Sequence, residues 1–438
     1  MNSKALSIIK TLSEQGYQAV YAGGCVRDYI LGLEPNDIDI ATNARPNEIE
    51  ALFPKTVAVG KAFGVIVVIV DGEEFEVATF RSDGAYSDGR RPDSIEFTSL
   101  EEDARRRDLT INGMFYDPLT DEIIDVVGGQ TDLEQKIIRL IGNPYDRIKE
   151  DKLRLMRVVR FAARLGFEIE ENTLQAVQQN SQQILSVSAE RIADEMTKIL
   201  GVKDKKRALE LLLGTGLLSE ILPEVVAMVG CEQPPEFHKE GDVWVHTLLA
   251  LGLLPENVSD TLLWGVFLHD IGKPSTQTFE DRIRFSGHDM KGKYMAEEIL
   301  KRLKFSNEFI DHVVSMVEHH MKFPVAEKMR VSKLKRFMNL HKFDEHLELH
   351  RVDCMSSHGG LEHYEFMQRK LKEFEATPET VKLDKLPRLV TGFDLIALGY
   401  PKGPSFRTML DDVQDQQLEE KLFTRDQAIE YIKRTYPL

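Results

Sequence analysis

Cysteine is scarce: Cys25, Cys231 and Cys354 lie far apart in a chain of 438 residues. So few thiols exclude a disulfide framework or a four-thiolate zinc site, and they fit a reducing cytoplasm. Long apolar runs are missing too. The longest, Val65 to Val70, is far below the ~20 residues of a membrane span, and the opening MNSKALSIIKTLSEQGYQ lacks the apolar core of a secretion signal. Positive charge is in deficit, with 56 basic against 72 acidic residues. That balance argues against binding nucleic acid over the whole surface but leaves room for a local basic groove. Histidine is absent from the first 237 residues, and all twelve lie at or after His238. Imidazole-based metal chemistry is therefore confined to the C-terminal half. The N-terminal half must work with carboxylates, arginines and backbone.

What is present divides the chain. Residues 1–130 carry β-prone runs (Ala19–Tyr21, Asp37–Ile40, Val65–Val70, Glu74–Phe80, Ile95–Phe97) separated by Gly-, Pro- and Asp-rich turns. Residues 81–94, RSDGAYSDGRRPDS, have turn composition and read as a mobile loop. Beyond about residue 130 the strand signal stops and apolar residues recur at helical spacing, as at Leu153, Met156, Val159 and Phe161. The expected fold is α+β: a mixed-sheet head followed by a long all-α body.

The first constellation is Gly23-Gly24-Cys25-Val26-Arg27-Asp28 followed by Asp37-Ile38-Asp39. In a strand, residues two apart face the same side, so Asp37 and Asp39 would project together. Two such carboxylates repel unless a cation neutralises them, and Mg²⁺ prefers hard oxygen ligands that it shares with phosphates. The Gly23-Gly24 turn lets backbone N–H groups approach a phosphate, and Arg27 adds a charged donor. Glu76 is the candidate for a third acid.

These residues carry a resemblance. GGCVRD, DIDIAT, Arg106-Arg107-Asp108-Leu109-Thr110-Ile111-Asn112, DVVGGQTDL (Asp125–Leu133), IRLIGNP (Ile138–Pro144) and EDKLRLMRVVRFAARLGF (Glu150–Phe167) together resemble the class II nucleotidyltransferases of the DNA polymerase β superfamily. That group holds tRNA CCA-adding enzymes and bacterial poly(A) polymerases. The resemblance implies a polymerase-β-like head, attack of an RNA 3′-hydroxyl on the α-phosphate of a nucleoside triphosphate, and Asp37 and Asp39 as catalytic ligands of Mg²⁺. It also implies that Arg106, Arg107, Asp108 and Asn112 hold the sugar and triphosphate, and that Asp151 and Arg154 read the base of CTP or ATP. Three residues apart, Asp151 and Arg154 would share one helix face. Gly24, Arg27, Arg157 and Arg160 complete the expected nucleotide-binding set. Between Arg147 and Arg164 stand seven basic and two acidic residues, a local excess suited to phosphate. The segment Gly60-Lys61-Ala62-Phe63-Gly64-Val65 is similar to the tRNA-type version. The intact loop 81–94 argues against enzymes that add only CC.

The second constellation is His246, then His269-Asp270-Ile271-Gly272-Lys273-Pro274, His288, His319-His320 and Asp353. It resembles HD-domain metal-dependent phosphohydrolases. By that resemblance His246, His269, Asp270 and Asp353 are ligands, joined by His288 and one of the pair His319 and His320, with His319 the working assignment. Lys273 would meet the substrate phosphate. Mixed imidazole and carboxylate ligands suit Mg²⁺, Mn²⁺, Ni²⁺ or Co²⁺.

The combined expectation is a head over 1–140, a helical nucleotide- and RNA-binding neck over 141–230, an HD body over 231–375 and a helical tail over 376–438. The expected function is template-independent addition of C, C and A to tRNA from CTP and ATP in the cytoplasm, with a metal-dependent phosphohydrolase in the HD body. No membrane and no obligatory protein partner are implied. The alternatives are an A-adding enzyme or poly(A) polymerase, and an HD phosphohydrolase whose head only binds RNA.

Overall fold

The computed structural model describes residues 2–35, 37–84, 94–235, 241–279, 281–375 and 387–438. The chain packs as two units: Met1–Val226 with Arg302–Phe305, and Ala227–Lys301 with Ser306–Leu438. No described helix is long and apolar enough to cross a membrane.

The first unit is built on a seven-stranded mixed sheet. Its strands are β1 (Ala19–Ala22), β2 (Asp39–Thr42), β3 (Thr56–Gly60), β4 (Val65–Val70), β5 (Glu73–Thr79), β6 (Phe115–Asp117) and β7 (Glu122–Ile124), in the order β3-β4-β5-β2-β1-β6-β7. Only β2 and β5 run parallel; the other neighbours are antiparallel. The Val65–Val70 run buries Ile66 and Val68, as alternation along a strand requires. All four residues of β1 are buried, so both faces of the sheet centre are covered.

Three expectations change here. Asp37 precedes the strand, because β2 begins at Asp39, opposite Ala22, where β1 ends. Beyond Ala22 the chain turns at Gly23 into the helix Gly24–Ile30, so no strand remains for Asp37 to pair with. Strand pairing also continues past residue 130. Ile137–Ile138 pairs parallel with Glu168–Ile169, and Thr278–Phe279 pairs antiparallel with Ile283–Arg284. Two-residue strands are too short to show a period. In the segment read as a loop, Arg81–Asp83 pairs with Ile95–Phe97, and residues 85–93 lie outside the described set.

The second unit is helical. Trp264 and Phe267 of the Asp260–Leu268 helix are fully buried. A further core gathers Phe323, Phe337, Phe343 and Leu347, and a separate one, built on Val390, Leu395, Val413 and Ile432, holds the C-terminal helices together. A close crossing lies at Gly272. A Cβ there would overlap the carbonyl oxygen of His288 and come 2.6 Å from the amide N of Gly292. Backbone therefore touches backbone, and this brings the helix His288–Arg302 against the turn that follows His269-Asp270.

Gly272→Ala is expected to cost about 1–3 kcal/mol of unfolding free energy in urea, because neither backbone can yield without moving a helix. Gly214→Ala, where a Cβ meets nothing within 4 Å at the end of the helix Lys205–Gly214, is the control. It should be neutral or stabilising, and equal effects at the two sites would contradict the crossing.

His346 is 1% exposed on the Phe343–Ser356 helix, packed against the rings of His312, His319 and Phe343. Burial, then His312 and His319, push its pKa down to about 3 from 6.5. The unfolded chain therefore takes up a proton below pH 6.5 that the folded chain refuses until about pH 3. Stability must fall as pH drops through that window, by up to about 1.4 kcal/mol per pH unit from this group. Urea titrations from pH 7 to 4 should show the decline, and His346→Phe should reduce its slope. An unchanged slope would rule out a buried neutral His346.

Candidate functional site

In the first unit a cavity of about 590 Å³ is lined by seven arginines, five aspartates, Asn112 and the Gly23-Gly24 turn. Gly23 has φ 73°, and a Cβ on it would stand 2.9 Å from Arg107 Nη1 and 3.9 Å from Asp39 Oδ2. The glycine keeps the backbone open at the point where the carboxylate and the guanidinium converge.

The cavity wall is one hydrogen-bonded chain. Arg27 donates through Nε to Asp28 at 2.8 Å and through Nη1 to Asn112 Oδ1 at 2.6 Å. Asn112 Nδ2 donates to Asp108 Oδ1 at 3.2 Å, and Arg157 Nε donates to Asp108 Oδ2 at 2.7 Å. Burial alone would raise the Asp108 carboxyl; the Arg157 guanidinium and the Leu109 and Asn112 donors hold it well below the usual range. Arg27 is itself 2% exposed, so much of its charge is committed to the wall.

Sequence reasoning missed Asp103. This 1%-exposed carboxylate binds Arg106 through Oδ1 (2.7 and 2.9 Å) and Arg107 through Oδ2 (3.0 and 3.2 Å). The signal was in the sequence, since Asp103 stands three and four residues before the two arginines. Arg147 was counted only as local charge. It pairs with Glu150 and donates to the main-chain carbonyls of Arg106 and Arg107, fixing that turn.

Asp151 and Arg154 both line the cavity, but not from one helix face. The helix Pro144–Glu150 ends at an extended Asp151, and the next begins at Arg154. Asp151 Oδ1 accepts the Leu153 N–H at 3.1 Å, a local bond that competes with helix continuation. Nor do the two side chains pair with each other. Arg154 donates to Glu150 Oε2 and to the Arg147 carbonyl, both at 2.7 Å, while Asp151 meets Arg191 at 3.0 Å. Arg160 is not among the cavity residues; its guanidinium is held by buried Glu195 at 2.6 Å and lies over Phe161.

Asp37 and Asp39 lie at the junction of this cavity with a second one of about 1110 Å³ that also contains Glu76. The register Ile40↔Val77 continues back to set Glu76 beside Asp39 on the open face. Burial, then repulsion from Glu76 and Asp37, raise the Asp39 carboxyl, with Arg107 opposing. Facing acids with net repulsion suit a hard divalent cation, although they do not close into a three-ligand group within 4.8 Å as the residues of the second unit do.

In the second unit two such groups form: His246, His269 and Asp353, and Asp270, His288 and His320. The working assignment of His319 is corrected. Adjacent helical residues point about 100° apart. His319 turns to the Ser315 carbonyl at 2.9 Å and stacks on Phe337, while His320 faces the cluster. The Nδ1 atoms of His269, His288 and His320 lie 2.6–2.8 Å from the carbonyls of Val266, Phe285 and Val317. These bonds put a proton on Nδ1 and turn Nε2 toward the cluster. Nε2 of His288 then faces Nε2 of His320 at 3.1 Å, and Nε2 of His246 faces that of His269 at 3.3 Å. Burial, then His288, push His320 down to about 4, so its ring is neutral at pH 7. Asp353 Oδ1 stands 3.2 Å from His246 Nε2. Asp270 Oδ2 is buried without an aligned hydrogen bond among the described residues, although the Lys273 ammonium is 2.7 Å away. Converging imidazole nitrogens and carboxylate oxygens fit a divalent metal.

Three domain families match: the poly(A) polymerase head domain over residues 19–139, a probable RNA- and SrmB-binding site of polymerase A over 166–228, and the HD domain over 245–353. The chain is 48% identical over 218 residues to a CCA-adding enzyme of Bacillus pumilus, covering 50% of this chain and 54% of that protein. It is 42% identical over 264 residues to a CCA-adding enzyme of Bacillus velezensis, covering 58% and 65%. The chain thus spans between half and two thirds of the length of these curated relatives. A crystal structure of the Bacillus stearothermophilus CCA-adding enzyme in complex with CTP shares 27% identity and a TM-score of 0.74 over 99% of both chains. The Thermotoga maritima CCA-adding enzyme, solved with tRNA, shares the fold at 18% identity and a TM-score of 0.58, over 99% of this chain and 96% of that one. The chain therefore carries, in this order, a region matching a poly(A) polymerase head domain, one matching an RNA-binding site of polymerase A and one matching an HD domain, and over nearly its whole length it has the fold of a CCA-adding enzyme.

Proposed function

We propose that this protein adds C, C and A to the 3′ end of tRNA, taking CTP and ATP without a nucleic-acid template, in the cytoplasm. The observation that carries this reading is the convergence of Asp37, Asp39, Asp151 and Arg154 on one arginine-lined cavity. Asp37 and Asp39, with Glu76 as the third carboxylate, would hold Mg²⁺, which supplies neutralising charge for the attacking and leaving oxygens. Arg106 and Arg107, held by Asp103, meet the triphosphate. Asp108 and Asn112 take the ribose hydroxyls. Asp151 offers an acceptor to the exocyclic amino group shared by cytosine and adenine, and Arg154 donates to the ring nitrogen and carbonyl acceptors. Residues 1–140 act as the catalytic head, 141–230 as the neck, 231–375 as the HD body and 376–438 as the tail. The boundary between body and tail falls at residues outside the described set.

For the HD body we propose metal-dependent hydrolysis of phosphoesters. His246, His269, Asp270, His288, His320 and Asp353 would hold Mg²⁺, Mn²⁺, Ni²⁺ or Co²⁺, whose charge activates a water. The head contains no histidine, so the two chemistries share no ligand.

The head is tested with tRNA lacking CCA, CA or the final A, supplied with CTP and ATP separately and together, and with products sequenced. All three substrates should be completed to CCA. Asp37→Ala should abolish addition, while Asp151→Ala should admit UTP or GTP. Runs of A on every substrate would favour a poly(A) polymerase, and addition only to tRNA ending in CC an A-adding enzyme.

The HD body is tested with a 2′,3′-cyclic phosphate and a simple phosphate ester under each of the four metals. Asp270→Ala should remove hydrolysis and leave nucleotide addition intact. Loss of addition in a folded Asp270→Ala protein would show that the two sites are not independent.

A further inference from the structure

A cavity of about 520 Å³ opens over Asp270, His288, His320 and Asp353, and His358 lines it too. His358 is exposed, in the turn that follows the Phe343–Ser356 helix. Asp270 and Asp353 are among the proposed metal ligands. The other charged residues of the lining are Lys273, Arg282 and Arg284, all cations, although Arg284 is also held by Asp281 at 2.8 Å. A cavity whose remaining charge is positive favours an anion.

The His358 ring is oriented by its own turn. Gly359 has φ 76°, in the left-handed region open to glycine, and the Gly360 N–H beyond it donates to His358 Nδ1 at 2.9 Å. A backbone N–H only donates, so Nδ1 carries the lone pair and the ring proton sits on Nε2. His269, His288 and His320 are set the other way round, with Nδ1 against a carbonyl. A Cβ on Gly360 would stand 3.0 Å from His358 Nδ1 and 3.2 Å from Cε1, so that edge of the ring is taken by the turn. The edge left open carries Nε2–H, which has no acceptor among the described residues. Gly360 does not line the cavity, whereas His358 does. With its proton on Nε2 this imidazole offers a donor and not a lone pair, which suits a phosphate oxygen and not a metal.

We infer that His358 binds the phosphate of the HD-site substrate, donating Nε2–H to a phosphoryl oxygen. The inference rests on reading that site as a phosphohydrolase centre. The match to the HD domain ends at residue 353, so His358 lies beyond the region that carries the histidine–aspartate motif. It reaches the cavity through the turn after the helix that bears Asp353.

The test is binding of inorganic phosphate to the full-length protein with Mn²⁺, by calorimetry. The HD-site component is the part that Asp270→Ala removes. His358→Gln sets an amide NH₂ where Nε2 stands. His358→Asn reaches only as far as Nδ1, where its oxygen can still accept from Gly360, and so lacks the distal donor. Phosphate should bind about tenfold more weakly to His358→Asn and within about twofold of wild type to His358→Gln, with Mn²⁺ stoichiometry unchanged in both. Nucleotide addition by the head reports that each variant is folded. Wild-type phosphate affinity in His358→Asn would mean that Nε2–H meets only water. Equal weakening in both variants would trace the effect to the turn. Either result overturns the assignment and leaves the phosphohydrolase reading standing. If the unsubstituted protein shows no phosphate component that Asp270→Ala removes, that reading falls and the assignment with it.

Discussion

The cavity of the first unit depends on the pair between Asp108 and Arg157. Asp108 follows the helix that carries Arg106, while Arg157 lies on the Arg154–Leu165 helix 49 residues further on. Their contact therefore fastens the sheet-bearing part of the chain to the first long helix behind it. Removing one partner would leave the other's charge uncompensated in a partly buried setting. The rest of the wall follows: Asn112 bridges from Asp108 to Arg27, Arg27 closes on Asp28, and Arg164 reaches Asp28 at 3.5 Å. The arginines are thus set in place before any triphosphate arrives. Their oxyanion partners within the protein also spare them the cost of burial as lone cations.

The two units handle charge in different ways. In the first, guanidinium and carboxylate groups neutralise one another, and the exception is the acidic edge at Asp37, Asp39 and Glu76. In the second, imidazole nitrogens face each other at 3.1 and 3.3 Å beside two carboxylates. Hard oxygen ligands at one site and mixed nitrogen and oxygen ligands at the other favour different ions. The two metal-dependent chemistries proposed for this chain would therefore need no exchange of ligands.

Much of this was legible in the sequence. Val65–Val70 was readable as a strand because its residues are β-branched and bounded by turns. The His269-Asp270 pair and the Arg106 to Asn112 run were readable because their spacing is local. What escaped depends on partners far along the chain. Arg160 counts as one more positive charge until Glu195, 35 residues away, takes it out of the cavity. The break at Asp151 is hidden by a helical apolar pattern that runs on either side of it. Between His319 and His320 no local rule chooses. The choice is made by Phe337, which stacks on the first, and by His288, which faces the second.

The carbonyls that orient His269, His288 and His320 each belong to the residue three positions earlier in the chain. Each ring is thus steered by its own turn of backbone and not by a distant side chain. The rotamer entropy of these ligands is spent as the local turn forms, ahead of any encounter with an ion. A metal bound there as proposed would enter a finished cradle, and could leave it again, without the helices having to re-form around it.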